Sequence, residues 1–248
     1  MGAIYIDPAV NRATVNLEEC VECFTCYRGM SKEHMNPTLV RAVRGFFKLL
    51  RVRFEPEPDV CPTDALTPQE LAWPRVIRRA FSDPVVPHES TGISGRGTEE
   101  VKTNDVTGRV REGEAGFTIE FGRPGVGVRF RDVQKMILAL IDLPVEFEKH
   151  NPVYALVADP VRGTLREDVL NEKVMSAILE LKTTLEHVPA VLARVDGAAK
   201  ELNTIVSIGV STRCGVRGES LLEPILRQAD YAFWRGKTNL GMGRPAAV

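Results

Sequence analysis

The chain has 248 residues, 44% hydrophobic and 26% charged, enough to bury a core as one large domain or two small ones. Lys plus Arg number 32 against 33 Asp plus Glu, a formal net charge of -1, which argues against a dedicated nucleic-acid binder. No apolar run approaches the ~18–20 residues of a membrane span. The start, Met1 to Val10, contains Asp7 and no basic-then-apolar export signal, so a cytoplasmic protein is expected. Five cysteines without a secretion signal point to reduced thiols, and hence to metal or redox chemistry rather than disulfides.

The first informative stretch is "ATVNLEECVECFTCYRG", where a short strand leads into Cys20, Cys23 and Cys26 at C-x2-C-x2-C spacing. After 34 intervening residues Cys61 stands directly before Pro62. Thiolates are soft, anionic ligands for iron, and three at this spacing can wrap one cubic cluster while leaving one iron for a distant ligand. Zinc is the main competitor, but its sites usually pair two C-x2-C knuckles. A radical S-adenosylmethionine site would need C-x3-C-x2-C and an open iron, and this triplet has a different first spacing.

At these residues the chain resembles the bacterial ferredoxin family, each half of which usually reads C-x2-C-x2-C-x3-C-P. Met30 stands where the fourth cysteine of the first half would be, and Ser31 where its proline would be. The second half keeps only its Cys-Pro. The flanks "VRFEPEPDVC" and "CPTDAL" are similar to the family's pre-ligand strand and its exit; Phe24 departs from the usual glycine after the second cysteine. The resemblance covers roughly residues 12–70. It implies a single-cluster ferredoxin-type domain in which Cys20, Cys23, Cys26 and Cys61 bind one [4Fe-4S] cluster. A [3Fe-4S] cluster, zinc or a degenerate site remain the alternatives.

Between the ligands, "NPTLVRAVRGFFKLLRVRF" reads as an inserted amphipathic helix. Leu39, Val43, Phe46, Phe47 and Leu50 form an apolar stripe, and Arg41, Arg44, Lys48 and Arg51 a basic face. The helix is expected to cover the cluster with its cations turned to solvent; the alternatives are that these cations dock an acidic redox partner or that the helix lies on a membrane surface. Residues 68–89 are rich in proline, with one short helix around Trp73–Phe81. Residues 89–116 are dense in glycine and charge. Their "GISGRG" could form an anion nest but is neither a Walker loop nor a clear dinucleotide fingerprint.

From Gly116 the pattern becomes regular. "GFTIEFG" alternates as a strand, and "RFRDVQKMILALIDL" has helical spacing. "VEFEKH" and "VYALVAD" read as two strands, residues 167–195 as one long helix that Pro189 ends or kinks, and "NTIVSIGVST" as the last strand. A further helix is expected at about 219–234, with Tyr231 and Trp234 as packing residues. The order is β-α-β-β-α-β, a split βαβ sandwich. By topology alone this unit resembles the ACT-type ligand-sensing and dimerisation modules, which implies a possible homo-oligomer.

The expected fold class is thus α+β, in three parts. Residues 1–83 form a ferredoxin-type iron–sulfur domain with the inserted helix. Residues 84–115 form a Gly/Pro-rich linker or arm, and 116–248 the β-α-β-β-α-β domain with a C-terminal helix and tail. Cys214, alone at a strand end, is expected to be a small buried hydrophobe. His34, His88, His150 and His187 form no metal pair, His187 being expected at a helix C-terminus, and no nucleophile elbow is present. The leading expectation is an electron-transfer protein or subunit serving a larger oxidoreductase. The alternatives are a redox- or ligand-responsive regulator with an ACT-like sensor, and a reductase whose substrate site uses Arg123, Arg129, Arg213, Arg217 and Arg235.

Overall fold

The computed structural model describes residues 2–26, 42–43, 45–47, 49–50, 70–83, 108–123 and 125–234. These residues mix helix and strand, as an α+β chain should. Cys61, most of the inserted-helix segment, the "GISGRG" stretch, His34, His88 and Arg235 lie outside them.

Two short strands open the chain. β1 (Ile4–Asp7) pairs antiparallel with β2 (Arg12–Val15), Ile4 opposite Val15 and Asp7 opposite Arg12. The cysteine loop follows. Helix α1 (Val76–Ser82) then turns Ile77 and Phe81 into the interior.

The main sheet has four antiparallel strands in the order β10-β3-β9-β5: Val206–Thr212, Glu114–Phe121, Ala177–Thr184 and Glu146–Phe147. Along β3 the alternate residues Ala115, Phe117, Ile119 and Phe121 are wholly buried, and across the ladder Ala177, Leu179 and Leu181 share their face. Two helices cover that face. α2 (Phe130–Leu140) contributes Val133, Met136, Ile137 and Leu140, which recur at spacings of three, one and three. α3 (Val188–Ala199) contributes Val188, Val191, Leu192 and Val195. Arg194 ties the pair, its Nη1 donating to the Ala139 carbonyl at 2.7 Å and to Asp142 at 2.8 Å. α1 belongs to the same core: Phe81 meets Phe130 edge-on with centroids 5.1 Å apart, and Ser82 Oγ accepts from the Met175 N–H at 2.8 Å.

Through the sheet the chain runs β3-α2-β5-β9-α3-β10. The third strand is not the one the sequence suggests. Residues 153–159 instead form a 3-10 turn (Tyr154–Leu156) and β6 (Val157–Asp159), which pairs only with β7 (Thr164–Leu165). The expected long helix over 167–195 is also corrected. It divides into a 3-10 turn (Glu167–Val169), β8 (Lys173–Val174), β9 and the first half of α3. Ala, Leu, Glu and Lys favour helix weakly, and burial between β3 and β5 overrides that preference. Pro189 sits in the first turn of α3, so it starts a helix rather than ending one.

A two-stranded ribbon closes the region nearest the cysteines. β4 (Val128–Arg129) pairs with β8, and the first N–H groups of α2 are consumed there: Phe130 donates to the Glu172 carbonyl at 3.2 Å and Arg131 to that of Leu170 at 2.9 Å. The turn before β4 requires glycine at 122, where φ is +83° and a Cβ would lie 2.7 Å from the Met175 carbonyl oxygen. The C-terminal helix is shorter than expected, α4 being Glu223–Gln228. Leu222 and Leu226 are buried and Tyr231 and Phe233 pack against the core, but Trp234, one residue beyond, is exposed. No helix among the described residues is long and apolar enough to cross a membrane.

Candidate metal centre

Residues 16–26 leave β2 through a turn in which the Cys20 N–H donates to the Asn16 carbonyl at 2.9 Å. The loop then carries two left-handed residues, Glu22 and Phe24, each at φ +54° on either side of Cys23. Phe24 thus adopts the backbone region that favours glycine, at the position where the ferredoxin pattern has one. Left-handed residues in a short loop turn successive N–H groups inward and make a concavity suited to an anion. Val21 and Phe24 are buried, and Cys20, Cys23 and Cys26 are half-buried. Burial pushes the Cys20 thiol above its usual range, and the Glu22 N–H and the Arg75 charge oppose this.

The loop is gripped by cations on three other elements. On α1 and the residue before it, Arg75 lies three and four residues before Arg78 and Arg79, spacings that bring all three to one side of the helix. Arg75 holds Glu22 through Nε at 2.9 Å and Nη2 at 2.5 Å, and reaches the Leu17 carbonyl at 3.0 Å. Arg78, 3% exposed, donates from Nη1 to the carbonyls of Leu17, Glu18 and Cys20 at 2.9, 3.1 and 2.8 Å. Its Nε meets Glu172 at 2.5 Å. Arg79 lies over the Phe24 ring, 4.6 Å from its centroid. From the β4–β8 ribbon, Arg129 reaches Glu19 at 3.2 Å and Lys173 binds its other oxygen. Hydrogen bonding from Lys173 holds the Glu19 carboxyl below its ordinary range.

The donor chemistry fits an iron–sulfur cluster: three thiols on one short loop, left-handed backbone on either side of Cys23, and partly buried walls. The geometry is open. Among the described residues, no three His, Cys, Asp or Glu side chains are gathered at metal-ligating distance. The structure therefore places Cys20, Cys23 and Cys26 on one loop without closing them onto a common point, and Cys61 lies outside the described residues.

Among the described residues, the others singled out do not form a site. Cys214 is exposed, contrary to expectation, because β10 is an edge strand and the chain leaves the sheet just before it. Arg123 pairs with Glu120 at 3.7 Å, Arg129 with Glu19, and Arg213 donates to the Val110 carbonyl at 2.6 Å, so they do not converge. His187 caps the start of α3, where its Nδ1 meets Thr184 Oγ1 at 2.7 Å, and so stands at the opposite helix end from the one expected. A shallow apolar cleft, with about 20 Å3 of room for water, lies between α2, β9 and the 3-10 turn, lined by Ile137, Ile141, Phe147, Val153, Val157 and Leu179 among others. None of the described cysteines lines it.

Sequence reasoning missed Glu19, Glu22, Arg78, Arg129, Glu172 and Lys173 as one assembly. The available signal was an arginine pair, Arg78-Arg79, on the same helical stretch as Ile77 and Phe81. No protein-family profile, curated protein or solved structure matches the chain.

Proposed function

We propose that the protein is an iron–sulfur electron carrier, or the electron-transfer subunit of a larger oxidoreductase, working through one [4Fe-4S] cluster held by Cys20, Cys23, Cys26 and Cys61. The observation that supports it most is the loop itself: C-x2-C-x2-C with left-handed Glu22 and Phe24 on either side of Cys23, held by Arg75 and Arg78. When bound, such a cluster accepts and releases one electron at a time.

The chain's own residues then have distinct tasks. The cysteines bind as thiolates. Val21 and Phe24 exclude water from one wall. Arg75 and Arg78 hold the loop in place through its carbonyls and Glu22, each beside a carboxylate that balances its charge. No proton or covalent bond need move within the protein, in keeping with arginines that are individually engaged rather than gathered about a substrate.

A second reading, a ligand-responsive regulator, draws on the β-α-β-β-α-β path through the sheet and on the ion pairs that join its ribbon to the cysteine loop. The deciding experiment is anaerobic purification of the full chain with iron and sulfide counting and electron paramagnetic resonance. We expect four irons per chain, and in Cys61→Ala a three-iron signal or none. Colourless parent protein containing zinc, or an unchanged four-iron signal in Cys61→Ala, would overturn the assignment.

A further inference from the structure

We propose that Arg78 is a positioning residue: its guanidinium sets the path of the cysteine loop and thereby the placement and potential of the bound cluster. The proposal rests on the iron–sulfur reading for the identity of the cluster, but its first readout does not need one.

Three carbonyls from four consecutive residues, Leu17, Glu18 and Cys20, converge on one nitrogen of Arg78. The chain must curl around the cation for this to happen, and the curl ends on the first ligand. The side chain is itself fixed, because Glu172 holds Nε and the helix that carries it is locked into the core by Ile77 and Phe81. Arg75 grips the same loop on its far side through Leu17 and Glu22. Cys20 is therefore flanked by two fixed points, its own carbonyl held by Arg78 and the Glu22 carboxylate two residues on held by Arg75.

Stability alone does not explain the arrangement. An ion pair as buried as Arg78–Glu172 can often be replaced by apolar side chains with no loss of stability. Apolar side chains cannot supply a rigid fork of donors that reaches several carbonyls and a carboxylate at once, and neither can lysine, whose ammonium is a single point. The buried cation also favours the more negative, reduced form of a cluster bound next to it.

The test uses the full chain in two forms. Without iron, the rate of Cys20 alkylation by iodoacetamide is followed by peptide mass spectrometry, with exposed Cys214 as internal reference. Arg78→Ala should raise the Cys20 rate roughly tenfold as the loop opens, with Cys214 unchanged. Arg78→Lys, the milder variant should the alanine form not fold, should stay near the open rate. Loaded anaerobically with iron and sulfide, both variants should show an altered paramagnetic spectrum, and Arg78→Ala, which also loses the cation, the lower potential. Val195→Ala, a core truncation on α3 away from the helix that carries Arg78, should lower Tm but leave the potential in place.

A Cys20 rate within twofold of the parent in Arg78→Ala, full rescue by lysine, or a potential that tracks Tm in Val195→Ala would each overturn the proposal. If the parent takes up no iron yet the Cys20 rates separate, the cluster reading fails and the positioning role stands. If the parent loads a cluster and rates and potentials coincide, the reading stands and Arg78 has no such role.

Discussion

Between the sheet and helices α2 and α3 the chain buries Phe117, Ile119, Leu181, Val133 and Val195 completely. Residues 17–22 are held otherwise, by the carbonyl bonds of Arg78 and by the pairs Arg75–Glu22, Arg129–Glu19 and Lys173–Glu19. Apolar packing is non-directional and shared among many neighbours. Charge-assisted hydrogen bonds are directional and few, so each fixes a particular backbone atom. The core therefore sets whether the protein folds, and the clamp sets where the cysteines stand.

Cutting the core should have the largest effect. Phe117→Ala removes a wholly buried ring from the central strand and should cost about 3–5 kcal/mol, read as a lower midpoint in urea unfolding with every probe moving together. Cutting the clamp should be smaller and local. Glu172→Gln leaves Arg78 buried without its counter-charge and should cost about 3 kcal/mol. Its signature is faster hydrogen exchange in residues 17–22 while β3 and β9 keep their protection relative to global unfolding. Equal loss of protection in loop and sheet would mean that the two regions are one cooperative unit and would remove the distinction.

That division also explains what could be read from the residues. β3, α2 and β10 were legible because their apolar residues recur at two, or at three and four, and each period has one solution. β9 was not: in "AILELKTT" apolar residues at 177, 178, 179 and 181 suit either period, and only pairing with β3 on one side and β5 on the other decides. Pro189 misled for a related reason, since proline marks a helix boundary without saying which end. The cysteines announce themselves by spacing. The clamp does not, because Arg75, Arg78, Arg129, Glu172 and Lys173 come from sites 50 to 150 residues along the chain, and only the fold brings them to the loop. Cys214 was misjudged since burial at a strand end depends on whether that strand is at an edge.

The smallest expected effect is a pH response confined to the clamp. Glu19 lies between Lys173 and Arg129, and the hydrogen bond from Lys173 lowers its pKa from the ordinary 4.5. A carboxylate depressed by folding stabilises the folded arrangement fully above its unfolded pKa, and the contribution fades as pH falls through the lowered value. Hydrogen exchange in residues 17–20, corrected for its intrinsic pH dependence, should therefore be flat from pH 7 to about 5 and rise below about 4. Lys173→Met should raise it at neutral pH and shrink the acid rise. Because this carboxylate is a third exposed, added salt should weaken the difference between parent and variant. Glu114 makes the comparison sharp, since it too has a lowered pKa, helped by Lys182 and the Arg111 N–H, yet it begins β3. Acid should protonate both carboxylates while β3, anchored by Phe117 and Ile119, keeps its protection; an acid response in β3 as large as that in the loop would show that charge, not packing, secures the sheet as well.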